Sequence, residues 1–524
     1  MISTFLFTIA FHVLSTLAVP LAAPSITIDG ATFKGTASGT TEKFLGVPFA
    51  QPPIGNLRYR LPQPITYSAG TYDATEYGPA CGQQVVRLPV EGIVGDVANS
   101  IVETAFGKIF PDDEDCLTVN IVRPKGTLPT AKLPVVAWIF GGGFQLGSAS
   151  MYDGGVIVDR SLELSQPVVY VSMNYRLTAF GFLASKEVKD AGVGNLGLHD
   201  QRQALRWVNK YISLFGGDPT KVTIWGQSAG AISVSLQLIA NGGNTEGLFR
   251  AAFMQSGAPV PVGDITNGQP HYDALVQETG CAGSTDTLQC LRTVPYATLK
   301  KAINNSPGLF GYQALFEACL QGKVAKIPYI TGNCDDEGTL FSLPTLNITT
   351  TTQFKNYIKN TFLTGITDAQ VNEIAELYPP DITKGSPFDT GILNAVTPQF
   401  KRLAAFFGDG VFQAPRRWLL DHTAGKQDVW AYVSKRFKIL PVLGSLHAHD
   451  ILNYAGGDMG DHLIRFANNL NPNGQSGYQW PKYTLATRQL ATYRDGLIKL
   501  STSTDNYRKE AMEAINAASL ENPV

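Results

Sequence analysis

Short apolar runs alternate with helical patterns through the middle of the chain. Six of these runs are predicted strands, at residues 134–140, 167–175, 221–225, 249–257, 324–332 and 428–437. Near-continuous apolar strands separated by helices are typical of a parallel sheet covered on both faces. The N-terminal stretches SITIDGATFKGTA and KFLGVPFA instead alternate and turn at glycines. The pattern predicts an α/β fold with a large, mostly parallel sheet, helices on both faces and a small N-terminal antiparallel extension.

The first 23 residues, MISTFLFTIAFHVLSTLAVPLAA, carry no charged side chain and have an apolar centre that ends in small residues. This pattern predicts a secretory signal peptide, cleaved near residues 18–23. A membrane anchor is the alternative, but Pro20 interrupts the run before it reaches the ~20 residues of a spanning helix. The rest of the chain has no internal repeat, charge block or linker. We therefore expect residues 24–524 to form a single domain.

The composition limits the kinds of molecule that the protein is expected to bind. Apolar residues make up 44% of the chain, charged residues 16%, and the formal net charge is −2. A nearly neutral chain gives no electrostatic reason to bind nucleic acid or an anionic membrane. Six cysteines in a secreted chain indicate disulfides, and proximity favours a Cys281–Cys290 pair. Asn304 and Asn347 each begin an Asn-x-Ser/Thr triplet, so both are candidate glycosylation sites.

The stretch KVTIWGQSAGA places Ser228 between Gly226 and Gly230, where an apolar run ends and a helical pattern begins. In an open parallel sheet, ligands bind at the carboxyl ends of the strands, so this turn belongs to the functional edge. A serine on a tight strand-to-helix turn exposes its hydroxyl, and the flanking glycines avoid clashes between Cβ atoms. Ser228 is therefore a candidate nucleophile.

Three consecutive glycines, Gly141, Gly142 and Gly143, follow the predicted strand at 134–140. Such a run lets backbone N–H groups turn toward a bound oxygen without obstruction by side chains, as an oxyanion hole requires. A flexible turn is the alternative, which the presence of Ser228 in the same chain disfavours.

A serine nucleophile needs a histidine to take its proton and a carboxylate to hold the tautomer of that histidine. Among the seven histidines, His447 and His449 both lie in the loop LGSLHAHDILN after the predicted strand at 428–437. The residues alone do not choose between them. Three acids follow the predicted strand at 324–332, namely Asp335, Asp336 and Glu337. A charged turn that faces solvent is the alternative interpretation of these acids.

Eight motifs occur in the order of a known family. They are FLGVPFAQPP, EDCLTVNIVRP, WIFGGGF, NYRLTAFGFL, GNLGLHDQRQALRWV, FGGDPTKVTIWGQSAGA, DDEGTLF and LGSLHAHD. Together they resemble the type B carboxylesterase/lipase family of α/β-hydrolases, which includes the cholinesterases. The chain looks most like the secreted fungal lipases and sterol esterases of that family, from about Thr27 to its last helices.

The resemblance implies an α/β-hydrolase fold and a set of site residues. Carried over residue by residue, it implies Ser228 as nucleophile, Glu337 as acid and His447 as base, with His449 as a neighbour of the site. The order of serine, acid and histidine is that of the α/β-hydrolases. It also implies oxyanion donors and disulfides, namely the backbone N–H groups of Gly142, Gly143 and Ala229 and the pairs Cys81–Cys116 and Cys281–Cys290.

The segment 82–115 between two of these cysteines carries a helical stripe. Its apolar residues at a spacing of four are Ile93, Val97, Ile101 and Ala105, as in an amphipathic helix. In the fungal lipases that the chain resembles, the matching segment is a lid that opens at a lipid surface. An ordinary surface helix is the alternative.

The chain departs from the family pattern in two places. Many members have Glu before the serine, whereas this chain has Gln227, which should alter local hydrogen bonding without abolishing the chemistry. The segment between INNSPGLFGYQ and QGKVAKIPYI is shorter than is usual, and Cys319 at this junction has no partner in the family. The shortening puts in doubt the folding of the chain just before the acid.

The resemblance implies a secreted serine esterase or lipase that cleaves carboxylic esters through an acyl-enzyme and needs no metal or cofactor. The implied partners are a small-molecule or lipid ester and, transiently, a lipid interface, without nucleic acid or an obligate protein partner. A non-catalytic, cholinesterase-like binding protein and an inactivated hydrolase fold are the rival interpretations. Candidates for serine, acid and histidine are all present, which favours the enzyme.

Overall fold

A computed structural model describes residues 23–85, 111–308, 323–453 and 457–523. Its dominant element is a sheet of eleven strands, accompanied by a three-stranded sheet and a two-stranded pair. In chain order the strands are β1 (Ser25–Ile28), β2 (Ala31–Lys34), β3 (Thr36–Ser38), β4 (Thr41–Pro48), β5 (Gly70–Asp73), β6 (Ala80–Cys81), β7 (Asp112–Asp113), β8 (Thr118–Pro124), β9 (Leu133–Ile139), β10 (Val169–Met173), β11 (Gly217–Gln227), β12 (Ala251–Gln255), β13 (Tyr329–Cys334), β14 (Val429–Lys435), β15 (Gln489–Arg494) and β16 (Leu500–Thr504).

The large sheet has the strand order β16-β15-β14-β13-β12-β11-β9-β10-β8-β4-β3. The central strands from β15 to β10 pair in parallel. Antiparallel strands flank them, with β16 on one side and β8, β4 and β3 on the other. The predicted large, mostly parallel sheet is confirmed.

Six of the seven central strands, β9 to β14, come from the six apolar runs of the sequence, whereas β15 (Gln489–Arg494) was not predicted. Every residue of β10, β12 and β13 is buried. Strands that are buried throughout must be covered on both faces, so alternation of polar and apolar residues is absent. This is why the apolar runs predicted these strands correctly.

The N-terminal extension contains both antiparallel and parallel strand pairs, whereas the sequence predicts an antiparallel extension. Strands β1 and β2 pair antiparallel, as expected for a hairpin. Strand β5 then pairs with β2 in parallel. Only strands joined by a short turn are forced to be antiparallel, and the long connection from Pro48 to Gly70 lets β5 enter in either direction. The alternation of residues gives no sign of that choice.

Helices occupy most of the connections between the central strands. In the described chain the α-helices are α1 (Gly155–Glu163), α2 (Thr178–Phe182), α3 (Lys186–Asp190), α4 (Leu196–Tyr211), α5 (Ala229–Gly243), α6 (Gln269–Glu278), α7 (Thr287–Thr293), α8 (Tyr296–Ile303), α9 (Thr351–Tyr357), α10 (Asp368–Leu377), α11 (Phe400–Gly408), α12 (Ala414–Thr423), α13 (Asp458–Asn469) and α14 (Lys509–Glu521). Within these residues, none of the helices combines the length and the apolarity that crossing a bilayer requires.

The main apolar core is built around the large sheet. Trp138 on β9 and Trp225 on β11 lie at its centre, with ring centroids 4.2 Å apart. A second apolar cluster joins α9, α10, α11 and α14 around Phe354 and Phe406. A third cluster, around Leu275, lies beneath α6, α7 and α8. The edge of the sheet therefore rests on packed structure, which can hold side chains at fixed positions.

Two disulfides lie in the described part of the chain. Cys81 is bonded to Cys116, and Cys281 to Cys290, as the resemblance implies. In the chain-entropy model, closing loops of these lengths stabilises the fold by about 4 and about 3 kcal/mol. Cys334 is a free thiol and is fully buried.

Several predictions from the sequence fall on residues outside the described ranges. These are the signal peptide over 1–23, apart from residue 23, the helical stripe of the lid segment within 86–110, and Cys319 at the shortened junction. They stay predictions.

The C-terminal helix is tied to the core through one buried carboxylate. Asp505, which precedes α14, receives hydrogen bonds from Arg416 (2.8 and 2.9 Å) and Arg417 (2.6 Å). All three side chains are buried. Burial alone would raise the pKa of Asp505, but the two guanidinium charges outweigh it and hold that pKa well below its usual range.

Replacing Asp505 with Asn should destabilise the fold by about 3–5 kcal/mol, because two buried guanidinium groups lose their counter-charge. Thermal unfolding near pH 7 measures the loss. The folded-state pKa is depressed, so the contribution is complete above about pH 4, where an unfolded Asp titrates, and falls as acid protonates the folded carboxylate. The difference in melting temperature should therefore narrow at low pH.

The control is Asp190→Asn, which removes an exposed ion pair with Lys186. It should change the melting temperature far less. Equal effects of the two substitutions would contradict the role given to the buried cluster.

Candidate active site

The turn that carries Ser228 lies at the carboxyl edge of the large sheet. Strand β11 ends at Gln227 and helix α5 begins at Ala229, so Ser228 forms the whole junction. Its backbone has φ 56° and ψ −129°, a conformation that L residues rarely adopt and that costs about 1–3 kcal/mol. The side chain is partly exposed between two buried neighbours. Strand, turn and helix occur where the sequence predicts them.

The glycines around Ser228 have no room for a side chain. A Cβ atom on Gly226 would lie 2.4 Å from the carbonyl oxygen of Gly230. A Cβ atom on Gly230 would lie 2.0 Å from the carbonyl oxygen of Ile139, at the end of β9. Both distances are far inside van der Waals contact. The helix can therefore approach the two strands only because glycine occupies both positions.

His447 and Glu337 form a buried pair beside this turn. His447 Nδ1 lies 2.5 Å from Glu337 Oε2, and the two side chains are almost fully buried. The other carboxylate oxygen, Glu337 Oε1, accepts the backbone N–H of Cys334 at 2.6 Å. A proton on Nδ1, donated to the carboxylate, leaves Nε2 of His447 as an acceptor. That is the tautomer that a general base requires.

Two loops must meet to form this pair. The turn after β13 and the loop after β14 are joined by a parallel backbone bridge between Asp336 and Leu446. The N–H of Asp336 donates to the carbonyl of Ser445 at 3.0 Å. The register of this bridge places Glu337 next to His447.

The other two acids have different partners. Asp335 forms ion pairs with Lys438 (2.5 Å) and Lys435 (3.4 Å), which lower its pKa despite the opposing effect of burial. Asp336 accepts hydrogen bonds from the N–H groups of Phe388 and Ser445, both at 2.8 Å. These two carboxylates support the loops around the site, whereas Glu337 is the acid that contacts His447.

The alternative histidine is also engaged elsewhere. His449 Nε2 lies 2.9 Å from Ser434 Oγ, and its Nδ1 lies 2.7 Å from the carbonyl oxygen of Leu446. The geometry therefore distinguishes His447 from His449, a choice that the residues alone left open.

Gln227 contacts the imidazole from the other side. Its Nε2 lies 3.3 Å from His447 Nε2, so the amide N–H can donate to the unprotonated ring nitrogen. A Cβ atom on Gly141 would lie 3.1 Å from Gln227 Oε1 and 2.8 Å from Ser228 Cβ. The bare backbone of Gly141 therefore leaves space for both side chains. An ionised glutamate has no N–H to donate to this nitrogen, so the expected change in local hydrogen bonding has a physical basis and stays a prediction.

The glycine loop lies directly against Ser228. Gly142 and Gly143 have φ of +117° and +61°, and a Cβ atom on Gly142 would lie 2.0 Å from the carbonyl oxygen of Leu146. The N–H groups of Gln145 and Leu146 both donate to the carbonyl of Gly142, which fixes the loop. Ala229 is the first residue of α5, so its N–H has no acceptor within the helix.

Aromatic rings flank the imidazole. Phe412 and Phe341 lie 4.5 and 5.1 Å from His447, measured between ring centroids, and Phe407 stacks on Phe341 at 5.2 Å. Such rings exclude water from the histidine and its carboxylate. Sequence reasoning missed this wall. Phe341 is the last residue of the motif DDEGTLF, so the sequence could have indicated it as a neighbour of the site. No motif contains Phe407 or Phe412.

The two candidate glycosylation sites differ in exposure. Asn347 is exposed. Asn304 is partly buried, and its Oδ1 accepts the backbone N–H of Val85 at 3.1 Å. Both sites stay predictions.

Comparison with known proteins agrees with the fold. Residues 22–513 match the model of the carboxylesterase family. Lipase 4 of Diutina rugosa is 41% identical over 96% of this chain and 97% of its own length. A secreted triacylglycerol lipase of Gibberella zeae is 38% identical over 94% of this chain and 90% of its own.

Solved structures agree as well. The crystal structure of Aspergillus niger EstA has a TM-score of 0.80 and 28% identity, covering 96% of this chain and 99% of that one. The likeness covers nearly the whole chain and gives the α/β-hydrolase fold that the sequence motifs implied. Since the family match covers nearly the whole chain, this protein belongs to the carboxylesterase family and is a carboxylic ester hydrolase.

Proposed function

We propose that Ser228, His447 and Glu337 carry out ester hydrolysis as nucleophile, general base and orienting acid. The observation that carries the proposal is the buried pair of His447 Nδ1 and Glu337 Oε2, which lie 2.5 Å apart. The other ring nitrogen, His447 Nε2, lies 3.3 Å from the side-chain nitrogen of Gln227, the residue before Ser228. A histidine held in this tautomer beside a partly exposed serine is suited to take the hydroxyl proton.

The reaction has two halves. His447 Nε2 takes the proton of Ser228 Oγ as that oxygen attacks the ester carbonyl, and Glu337 stabilises the resulting imidazolium. The N–H groups of Gly142, Gly143 and Ala229 donate to the carbonyl oxygen as it becomes negative. The imidazolium then protonates the leaving alcohol. Water repeats the sequence on the acyl-enzyme, which releases the acid and restores Ser228.

The preferred substrates, in this proposal, are esters of long apolar acids, including acylglycerols. The aromatic wall beside His447 offers apolar contact to a chain, and the Gibberella zeae relative is named a triacylglycerol lipase. That relative is also named as secreted, and the apolar first 23 residues of this chain suit the same route. A plain carboxylesterase would hydrolyse short soluble esters as well as emulsified long ones, and this comparison tests the preference.

Ser228→Ala should lower kcat for p-nitrophenyl esters by at least about 10⁴-fold, because the acyl-enzyme forms on this hydroxyl. Ser235→Ala is the matched control, since its hydroxyl donates to the carbonyl of Ile232 within the same helix. A fluorophosphonate probe should label the wild type at Ser228 and leave the Ser228→Ala variant unlabelled. Retained turnover in the purified variant would refute the assignment.

Gly142→Ala should lower kcat by about 10²-fold or more, with little change in KM, because the added Cβ would push the loop off Leu146 and misalign the oxyanion donors. Gly283→Ala is the control, since a Cβ atom there meets nothing within 4 Å. Steady-state kinetics on a soluble ester measure both. A loss confined to KM would point to a substrate contact instead.

Gln227→Glu should move the acid limb of the pH profile of kcat/KM to higher pH. A carboxylate at 3.3 Å from His447 Nε2 favours the protonated ring, so more alkaline solution is needed to free the base. Gln51→Glu adds the same charge at an exposed position and should leave the limb in place. An unshifted limb in Gln227→Glu would show that the amide does not face the working imidazole.

A further inference from the structure

One long helix packs against the turn that carries Glu337. It comprises α11, a wider turn over Asp409–Gln413 (the π-turn), and α12. In the π-turn the N–H of Ala414 donates to the carbonyl of Asp409, five residues earlier. Pro415 follows, and a proline has no N–H and would collide with the carbonyl four residues before it in a regular helix, which favours the wider turn. Such turns are rare and often lie at functional sites.

The helix contacts the chain on both sides of Glu337. After this residue, a Cβ atom on Gly338 would lie 2.0 Å from the carbonyl oxygen of Ala404, so only glycine fits against the helix here. Before it, the side-chain Nε2 of Gln413 donates to the carbonyl of Cys334 at 2.9 Å. The acid therefore lies between two contacts with the same helix.

Gln413 influences the carboxylate through Cys334. The backbone N–H of Cys334 donates to Glu337 Oε1 at 2.6 Å, and the carbonyl of Cys334 accepts from Gln413. Gln413 thus fixes the residue whose N–H holds one oxygen of Glu337, while the other oxygen contacts His447 Nδ1. A carboxylate supported in this way keeps its distance and direction relative to the imidazole.

The side chain of Gln413 is itself anchored. It is 1% exposed, and its Oε1 accepts from Tyr507 Oη at 2.8 Å and from Arg416 Nη2 at 3.4 Å. A guanidinium group can only donate, so the amide oxygen faces Arg416 and the amide nitrogen faces the carbonyl of Cys334. The partners of the amide therefore determine its orientation.

The segment 505–508, which precedes α14, holds the π-turn at both ends. Arg508 donates to both carboxylate oxygens of Asp409, at 2.7 Å each, where the π-turn begins. Tyr507 donates to Gln413, where it ends. Asp505 pairs with Arg416 at the start of α12. A segment distant in sequence from the acid therefore fixes the helix that supports it.

We propose that Gln413 is a positioning residue for ester hydrolysis. It holds the end of β13 so that Glu337 stays within hydrogen-bonding distance of His447 Nδ1, and Tyr507 fixes Gln413 in that orientation. Its effect on turnover rests on the proposed function, in which Glu337 orients His447, whereas the geometry that it maintains does not.

Gln413→Met keeps the length of the side chain and removes its hydrogen bonds. For a soluble ester, kcat should fall about five- to tenfold, the rate equivalent of one lost hydrogen bond. KM should stay close to the wild-type value, because the acid orients the base without touching the substrate. Rates are divided by the fraction of sites that the fluorophosphonate probe labels at completion. An unchanged kcat, or a loss confined to KM, would overturn the proposal.

Gln399→Met is the matched control. Gln399 is a buried glutamine at the start of the same helix, and its Oε1 accepts from Arg402 at 3.0 Å. The substitution removes a comparable buried amide and should leave kcat close to that of the wild type. An equal fall of kcat in the two variants would attribute the effect to general loss of helix packing and would also overturn the proposal.

Tyr507→Phe is a milder change in case Gln413→Met does not fold. It removes the hydroxyl that donates to Gln413 and keeps the half-buried ring. Alone, it should lower kcat about two- to threefold. Added to Gln413→Met, it should lower kcat no further, because its effect passes through Gln413. Independent, multiplying losses would refute the route from Tyr507 to the acid.

A proton resonance tests the geometry without turnover. The proton between His447 Nδ1 and Glu337 Oε2 should resonate far downfield and be absent in Glu337→Ala, which assigns it. In Gln413→Met the resonance should move upfield as the hydrogen bond lengthens, and in Gln399→Met it should not. An unmoved resonance in Gln413→Met would refute the positioning role. If the catalytic roles are wrong instead, Ser228→Ala retains turnover while the resonance still responds to Gln413→Met.

Discussion

The site depends on the close approach of three backbone segments at the carboxyl edge of the sheet. The first turn of α5 touches the end of β9 through Gly230, and the glycine loop touches Ser228 through Gly141. In each case a Cβ atom would fall within 3 Å of its neighbour. The surrounding core is too tightly packed to yield. The Ser228 turn and the glycine loop are therefore neighbours because glycine occupies positions 141 and 230, which leaves room for the side chains of Gln227 and Ser228.

The second condition is the separation of three consecutive acids. Asp335, Asp336 and Glu337 would repel one another if they shared a site. In the structure Lys438 forms ion pairs with both Asp335 and Asp336, backbone N–H groups also donate to Asp336, and Glu337 contacts an imidazole. The first two acids hold the loops, and the third contacts His447 Nδ1. Three consecutive acids, which in the sequence look like a solvent-facing turn, are therefore buried and hold the surrounding loops.

Local patterns were enough to predict the centre of the sheet and the turn at Ser228. The fully buried strands β10, β12 and β13 each correspond to an apolar run, whereas the equally buried β8 was not predicted from one. The glycines at 226 and 230 mark a close contact that sequence spacing alone reveals. The choice of Glu337 and His447 was different. It depends on the bridge between Asp336 and Leu446, a pairing more than a hundred residues apart along the chain, and only the family resemblance anticipated it. The parallel entry of β5 and the rings of Phe407 and Phe412 also depend on distant contacts, so no local signal predicts them.

The free thiol of Cys334 lies in the strand that leads to the acid. Its backbone N–H is bonded to Glu337, it is fully shielded from solvent, and burial raises its pKa, so the reactive thiolate form is scarce in the folded enzyme. Maleimides or iodoacetamide can therefore reach this sulfur only when the end of β13 opens. The rate at which the peptide that contains Cys334 is alkylated, followed by mass spectrometry, therefore reports how fast the structure around the site opens. Handling of the enzyme without reductant should not oxidise this thiol.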